Sequence, residues 1–283
     1  MKTLAGIVAY LPDSDRLREN VAASVSQVDQ VVIFVNGDAS NDVVETVAQD
    51  FDHIALLRSH ENLGIATGLS RIMSYAETNG FDWVLAIDQD SVCKPGLVGE
   101  YCKYLDLPHV GILTCLITDR NFSQAYGFGE EAYHEVERCI TAGSFMSVDA
   151  YRHTDGYDER MFIDGVDWDI CFNFRQHGYQ IYRIDFDGVL QEVGHGKNVT
   201  LLGKKYIAYD ESPLRNYYGA RNWVYLAKKY PEYVSMGKNR MRELRVELII
   251  LLYEGDKIPK ILNRWNGLRD ATRMTPTTRD VQS

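Results

Sequence analysis

The sequence predicts an α/β fold: a doubly wound, mostly parallel central sheet followed by a C-terminal helical extension. Three observations carry this. Short apolar runs alternate with segments of helical period, the links between them are brief, and the early runs are apolar at nearly every position. Alternation with short links is how βαβ units read, and a strand with no polar face is one covered on both sides. With 283 residues, 45% hydrophobic and 25% charged, the chain has the make-up of a globular domain with an appendage. The expected division is 1–225 for the α/β domain and 226–283 for the helices.

Thr3–Tyr10 (TLAGIVAY) is the first strand, broken by Pro12 and Asp13. Arg16–Val28 is a helix with Leu17, Val21 and Val25 on one face. Gln30–Val35 is the second strand, closed by Asn36-Gly37-Asp38; Asn41–Phe51 is a helix and Ile54–Arg58 the third strand. His60–Ser70 opens a helix running to about Asn79, where Gly64 lets an anion approach the free first amides. A plain turn and helix start is the simpler reading of that stretch. Gly96–Leu105 is a helix, Val110–Leu116 a strand, and the polar, aromatic Asn121–Glu137 a loop or hairpin. Ile140–Val148 is a strand whose Ala142-Gly143-Ser144 points to a close approach to the backbone. After the short helix Asp149–Thr154 come a helix from Asp169 to about His177 and the strand Gln180–Leu190. Ser212–Tyr225 begins a helix with Pro213 in its first turn, and Met236 to Met274 reads as amphipathic helix.

Two stretches concentrate the chemistry. In Phe81–Ser91 (FDWVLAIDQDS) a core strand, Trp83–Ile87, runs into Asp88-Gln89-Asp90. Extended geometry aims Asp88 and Asp90 to one side, at the strand end where α/β sheets gather ligands. Paired carboxylate oxygens suit a hard divalent ion carrying phosphate; a solvated acidic loop is the competing reading. In Met161–Tyr179, Asp164, Asp167 and Asp169 fall within six residues. One of them is expected only to cap the following helix, but three exceed what a cap needs. A carboxylate beside an acceptor hydroxyl would serve as general base.

Other classes fit poorly. There is no GxxxxGK[ST], and Gly127-Phe128-Gly129 lacks the third glycine of a dinucleotide fingerprint. The five cysteines have neither CxxC nor zinc spacing and are expected as reduced thiols of a cytoplasmic protein. The apolar run Leu4–Leu11 has no small-residue cleavage pattern after it and so does not resemble a secretory signal, and Leu248–Tyr253 is too short to span a bilayer. Residues 1–227 carry 18 Lys+Arg against 33 Asp+Glu, whereas 228–283 carry 12 against 7. An acidic body argues against nucleic acid as partner. The basic helices point to an anionic membrane surface at the inner face of the plasma membrane, or to packing on the domain or on a second copy in a homodimer.

Taken together, these stretches resemble the inverting family-2 glycosyltransferases of the GT-A fold, in particular the bacterial rhamnosyltransferase-like branch that builds cell-surface polysaccharides. The likeness covers roughly 4–225. It is carried by Glu61-Asn62-Leu63-Gly64, Asp88-Gln89-Asp90-Ser91, Thr141-Ala142-Gly143-Ser144, Asp164-Gly165-Val166-Asp167-Trp168-Asp169, and Ser212-Pro213-Leu214-Arg215 with Arg221-Asn222.

The resemblance implies that Asp88-Gln89-Asp90 is the DXD motif, with Asp88 and Asp90 binding Mn²⁺ or Mg²⁺. It implies Asp167 as catalytic base, with Asp164, Trp168, Asp169, Gly143 and Ser144 toward the acceptor. Tyr10, Asn36, Asp38, Asn62, Gly64, Gln89 and Arg215 would meet the nucleotide-diphosphate sugar, and Arg175 a diphosphate or acceptor charge. Two departures stand out: Val35-Asn36 replaces the usual Asp-Asn pair, and Gln191 stands where a metal-binding His is common, so that either His195 is the third metal ligand or the site uses fewer protein ligands. The implied activity is metal-dependent hexosyl transfer, from dTDP-rhamnose or from a UDP-hexose, to an oligosaccharide or lipid-linked glycan. A sugar nucleotidyltransferase would need a glycine-rich loop that Tyr10–Asp13 lacks. A non-catalytic nucleotide-sugar-binding protein is the alternative from another class.

Overall fold

The computed structural model describes residues 1–120, 131–191 and 196–276. His195 and most of the Asn121–Glu137 stretch, with Gly127-Phe128-Gly129, lie outside the described residues. The chain divides into two compact units. The first holds residues 1–160 and 167–191, the second residues 161–166 and 196–276, so the division falls earlier in the sequence than 225.

The first unit is a nine-stranded sheet with helices. Its strands are β1 (Thr3–Ala9), β2 (Gln30–Asn36), β3 (Ile54–Ser59), β4 (Trp83–Asp88), β5 (Val92–Cys93), β6 (Val110–Asp119), β7 (Tyr133–Glu135), β8 (Ser144–Ser147) and β9 (Gln180–Gln191). The order is β3-β2-β1-β4-β8-β6-β9-β5, with β7 also on β9. β3, β2, β1 and β4 are parallel neighbours, as expected of the early strands. Beyond β4 the directions mix: β8 is antiparallel to β4 and β6, β9 is parallel to β6, and β5 and β7 are antiparallel to β9.

The apolar pattern explains the first half. Leu4, Ala5, Ile7 and Ala9 of β1 and Val31 to Val35 of β2 are buried on both faces. Helix α1 (Ser14–Val25), capped by the Asp13 carboxylate, lays Leu17, Val21 and Ser24 on the sheet. Helix α2 is Asn41–Ala48; helix α3 (Gly64–Thr78) packs Leu69, Ile72, Met73 and Ala76. A Cβ at Gly68 would stand 2.7 Å from Val8, so glycine sets how closely α3 meets β1. Trp83, Tyr101 and Phe145 stack at 5.0 and 5.3 Å beneath β4 and β8. Tyr101 ends helix α4 (Leu97–Tyr101), and helix α5 (Val148–Arg152) follows β8 directly.

The strand expected over Ile140–Val148 is shorter than its sequence suggests. Thr141–Ser144 forms a turn, with the Ser144 amide donating to the Thr141 carbonyl at 3.0 Å and Gly143 at φ +80°. Only Ser144–Ser147 extends. Helix α6 (Val166–Gln176) starts three residues earlier than expected, taking Asp167 and Asp169 into its first turn.

The second unit holds the hairpin β10 (Lys197–Leu201) and β11 (Lys204–Ala208) and three helices. These are α7 (Pro213–Lys229), α8 (Met236–Tyr253) and α9 (Lys257–Arg273). The single helical stretch expected over 236–274 is broken at Glu254–Asp256, where Glu254 is extended and Asp256 has φ 43°. No helix among the described residues is long and apolar enough to cross a membrane.

This unit's polarity runs against its sequence pattern. Lys260 and Arg264 are buried, Lys260 paired with Asp210 and Glu254, Arg264 with Glu243. Met241, Leu244, Leu248, Leu251, Ile258, Leu262 and Trp265 are exposed instead. Two of the cations expected to face a membrane therefore serve as interior ion pairs.

Candidate active site

Sheet order builds the site. β1, β2 and β4 run parallel, so their carboxyl ends, Tyr10, Asn36-Gly37-Asp38 and Asp88-Gln89-Asp90, come out at one edge. Asp88 closes β4 opposite Val8. Its carbonyl accepts from the Asn20 side chain at 2.6 Å and from the Ser91 amide at 2.9 Å, which fixes the turn after the strand. Gln191, at the end of β9, donates from Nε2 to Asp88 Oδ2 at 3.1 Å.

The charges of two further carboxylates reach Asp88 here. Burial, and then the charges of Asp90 and Asp167, push the Asp88 carboxyl from 3.8 up to about 7. Asp90 and Asp88 come from one strand end, Asp167 from the first turn of α6. Acids are electrostatically favourable in that turn, so the helix dipole offsets part of the repulsion. The Trp168 amide donates to Asp167 Oδ1 at 3.0 Å and holds its carboxylate. Like charges gathered at a strand end are the mark of a candidate site for chemistry or for a metal.

The donor set fits a divalent cation of the Mg²⁺ or Mn²⁺ type. Oxygen ligands from one or two carboxylates, completed by phosphate and water, are what such ions take. Asp88, Asp90 and the Gln191 amide oxygen are the candidate ligands. Among the described residues no group of three or more His, Cys, Asp or Glu stands in a metal-binding arrangement. His195, the expected third ligand, is outside those residues.

The structure brings some of the remaining expected residues to this edge as scaffolding. Gln89 clamps β1, accepting from the Tyr10 amide at 2.8 Å and donating to the Tyr10 carbonyl at 3.2 Å. The Tyr10 ring is exposed. Asn36 is buried; it donates to Asn62 Oδ1 at 2.9 Å and accepts from the Leu63 amide at 2.7 Å. Asn62 in turn accepts from the Gly64 amide at 3.0 Å. Asp38 is exposed, 3.2 Å from His60 Nδ1.

Of the residues expected toward an acceptor, Ser144 is buried and donates to the Thr141 carbonyl at 2.9 Å, and the Gly143 carbonyl accepts from the Tyr101 hydroxyl. Asp169 is buried, and Trp168 is half-buried. Arg175 lies in the last turn of α6, eight residues beyond Asp167 and so about 12 Å along the helix axis. In the second unit, Arg215 donates to Asp164 Oδ1 at 2.8 Å and lies 3.0 Å from Glu211. There the Asn222 amide donates to the carbonyls of Met161, Ile163 and Asp164, shaping the loop that leads into α6.

Sequence reasoning missed two contributors. Asn20 is a polar residue on the inward face of α1, beside Leu17, Val21 and Ser24, and that misplaced polarity was a usable signal. Arg138, whose guanidinium lies 3.6 Å over the Trp168 ring, sits in an irregular segment and had none.

The curled central sheet with its helices matches the fold of GT-A glycosyltransferases. S. aureus TarS 1–349 in complex with UDP-GlcNAc superposes with a TM-score of 0.63 at 14% identity, over 96% of this chain and 81% of that one. GalNAc-T7 with UDP, GalNAc and Mn²⁺ gives 0.63 at 11% identity, over 96% of this chain and 56% of that one. The family model described as Glycosyl transferase family 2 matches residues 6–165, and the chain belongs to that family. It is also 25% identical over 240 residues to the dTDP-rhamnosyl transferase RfbF of Shigella flexneri, covering 80% of this chain and 79% of that protein.

Proposed function

We propose that the protein transfers a sugar from a nucleotide-diphosphate donor to an acceptor hydroxyl with inversion, and that the donor is dTDP-L-rhamnose. The observation that carries the reaction is the convergence of Asp88, Asp90 and Asp167. The likeness to RfbF supports the sugar; UDP-hexose is the second reading, favoured by the UDP complexes of the structural neighbours. The acceptor we infer is an oligosaccharide or lipid-linked glycan precursor, met at the cytoplasmic face of a membrane. The exposed apolar residues of α8 and α9, among Lys238, Arg245 and Lys257, would rest on its anionic surface.

Asp88 and Asp90, with Gln191 beside them, would hold a divalent cation, which when bound supplies positive charge to the departing diphosphate. Asp167 takes the proton from the acceptor hydroxyl as that oxygen attacks the anomeric carbon. Its carboxylate is presented by the Trp168 amide and by the first turn of α6. Attack on the face opposite the leaving group inverts the configuration, so base and diphosphate must approach from opposite sides. Gln89 and Asn36 act by holding the strand ends in place, and Asp38 and the Tyr10 ring are left to meet the nucleoside.

Calorimetry with dTDP- and UDP-sugars, each with and without Mn²⁺ or Mg²⁺, tests this reading. Metal-dependent binding of dTDP-rhamnose, lost in Asp90→Ala, is expected. Metal-dependent binding of UDP-sugars alone would replace the donor; binding of none would return the acidic turn to a solvated loop.

A further inference from the structure

We propose that the helical unit carries a second binding site, for a long-chain carboxylic acid, in a cleft among α7, α8 and α9; it does not rest on the transfer reaction. The cleft has a volume of about 650 Å³. Packed interiors leave few voids larger than a water molecule, whereas ligand pockets fall between roughly 300 and 1,000 Å³. Each helix faces the cleft with residues on one side: Val224 and Lys228 of α7, Met236 and Leu244 of α8, Leu268 and Thr272 of α9. The walls are mainly apolar.

Asn239 marks the cleft as a site rather than loose packing. It lines the space, is only 4% exposed, and neither its amide nitrogen nor its oxygen has a hydrogen-bond partner. Buried side-chain amides satisfied at neither end are rare in folded proteins. This one offers both a donor and an acceptor to whatever enters.

The charges around the cleft select the head group. Of the carboxylates that line it, Glu243 is paired with Arg242 and Arg264, whereas Glu247 accepts from the neutral Trp265 indole at 3.0 Å and keeps its charge, which the two lining cations outweigh. The Lys228 ammonium donates to the carbonyls of Ala271, Thr272 and Met274, which leaves its charge intact, and Arg240 adds a second cation. An apolar chain ending in a carboxylate meets the apolar walls and the cationic rim, and its oxygens accept from the Asn239 amide nitrogen. Leu244 is also exposed and continues into Leu248 and Leu251 on the outer side of α8, an apolar path by which a chain enters.

The test is calorimetric titration of the full chain with palmitate, and with hexadecyltrimethylammonium below its micelle concentration, without any bilayer present. Palmitate is expected to bind one to one and the cationic amphiphile at least about tenfold more weakly. Leu268→Trp, which fills the cleft, should abolish palmitate binding. Asn239→Leu should weaken it about tenfold while the ligand-free protein melts no lower than wild type, since an unsatisfied amide has been removed. If Leu268→Trp fails to fold, Val224→Phe takes its place. No palmitate binding by wild type, equal binding of the two amphiphiles, or unchanged binding in the filled variant each overturns the site.

Discussion

The two units distribute polarity in opposite ways. In the sheet unit the interior is apolar, from Leu4 to Val189, and carboxylates collect at the strand ends. In the helical unit Lys260, Arg264 and Glu243 lie inside, while Leu248, Ile258 and Trp265 face out. A sheet covered on both faces has no surplus apolar surface to display, so its function sits where the backbone stops. A three-helix unit with ion pairs in its centre has apolar side chains left over, and a large exposed apolar face marks an interaction surface. The proposed chemistry and the proposed docking thus fall on different units, by the same physical rule.

The largest expected effect tests the chemical half of that contrast. Asp167→Asn keeps the shape and the Trp168 contact but removes the proposed base, and should cut transfer by roughly 10²–10⁴-fold. Donor affinity should stay near wild type by calorimetry. Transfer at the wild-type rate would take Asp167 out of the mechanism.

The interior of the helical unit gives the next largest. Arg264→Ala removes one of the two cations paired with the buried Glu243 carboxylate, leaving Arg242, and should cost up to about 3 kcal/mol in urea unfolding. The double change Glu243→Leu with Arg264→Met should recover most of that, or exceed wild type, because desolvating a buried pair offsets its attraction. A double variant as unstable as Arg264→Ala would show that these charges specify the fold and are not merely tolerated by it.

The strand-end carboxylates make a pH prediction. Native Asp88 keeps its proton up to about pH 7, whereas in the unfolded chain it loses it near 4. Between those values the native state binds more protons, so metal-free stability should fall as pH rises from about 4 to about 7. Asp88→Asn should flatten that part of the profile, measured by unfolding at pH 5 and 7.5. An identical pH slope in the variant would mean that Asp88 is not the titrating group.

The smallest effect on stability tests the docking half. Leu248→Ser with Ile258→Ser should change unfolding free energy by no more than about 0.5 kcal/mol per site, since both residues are already exposed. Sedimentation with anionic vesicles should nonetheless drop sharply. Wild-type protein that ignores vesicles but loses a dimer on this change would assign the face to a second copy.

Much of the site was legible early because its signals are local. Apolar runs at every position name β1, β2 and β4, and a strand running into Asp88-Gln89-Asp90 names its own functional end. The α6 stretch announced itself by holding more acids than a cap requires. Other residues were harder to place, because residue type says nothing of which hydrogen bonds are already made. Asn36, Asn62, Gln89 and Ser144 look like ligand contacts, yet each spends its polar atoms on neighbouring protein groups.

By itself, then, the sequence determined the alternation of strands and helices, the parallel run of the first four sheet neighbours, and the two acidic stretches. These depend on side-chain period and turn chemistry within a few residues. Only the tertiary structure decided that Asp167 meets Asp88, since that depends on how β8, β6 and β9 extend the sheet beyond β4. It also decided that the helical unit buries its charges. A helical pattern shows that two faces differ; which one turns inward depends on the partners that other elements bring, here Asp210, Glu243 and Glu254.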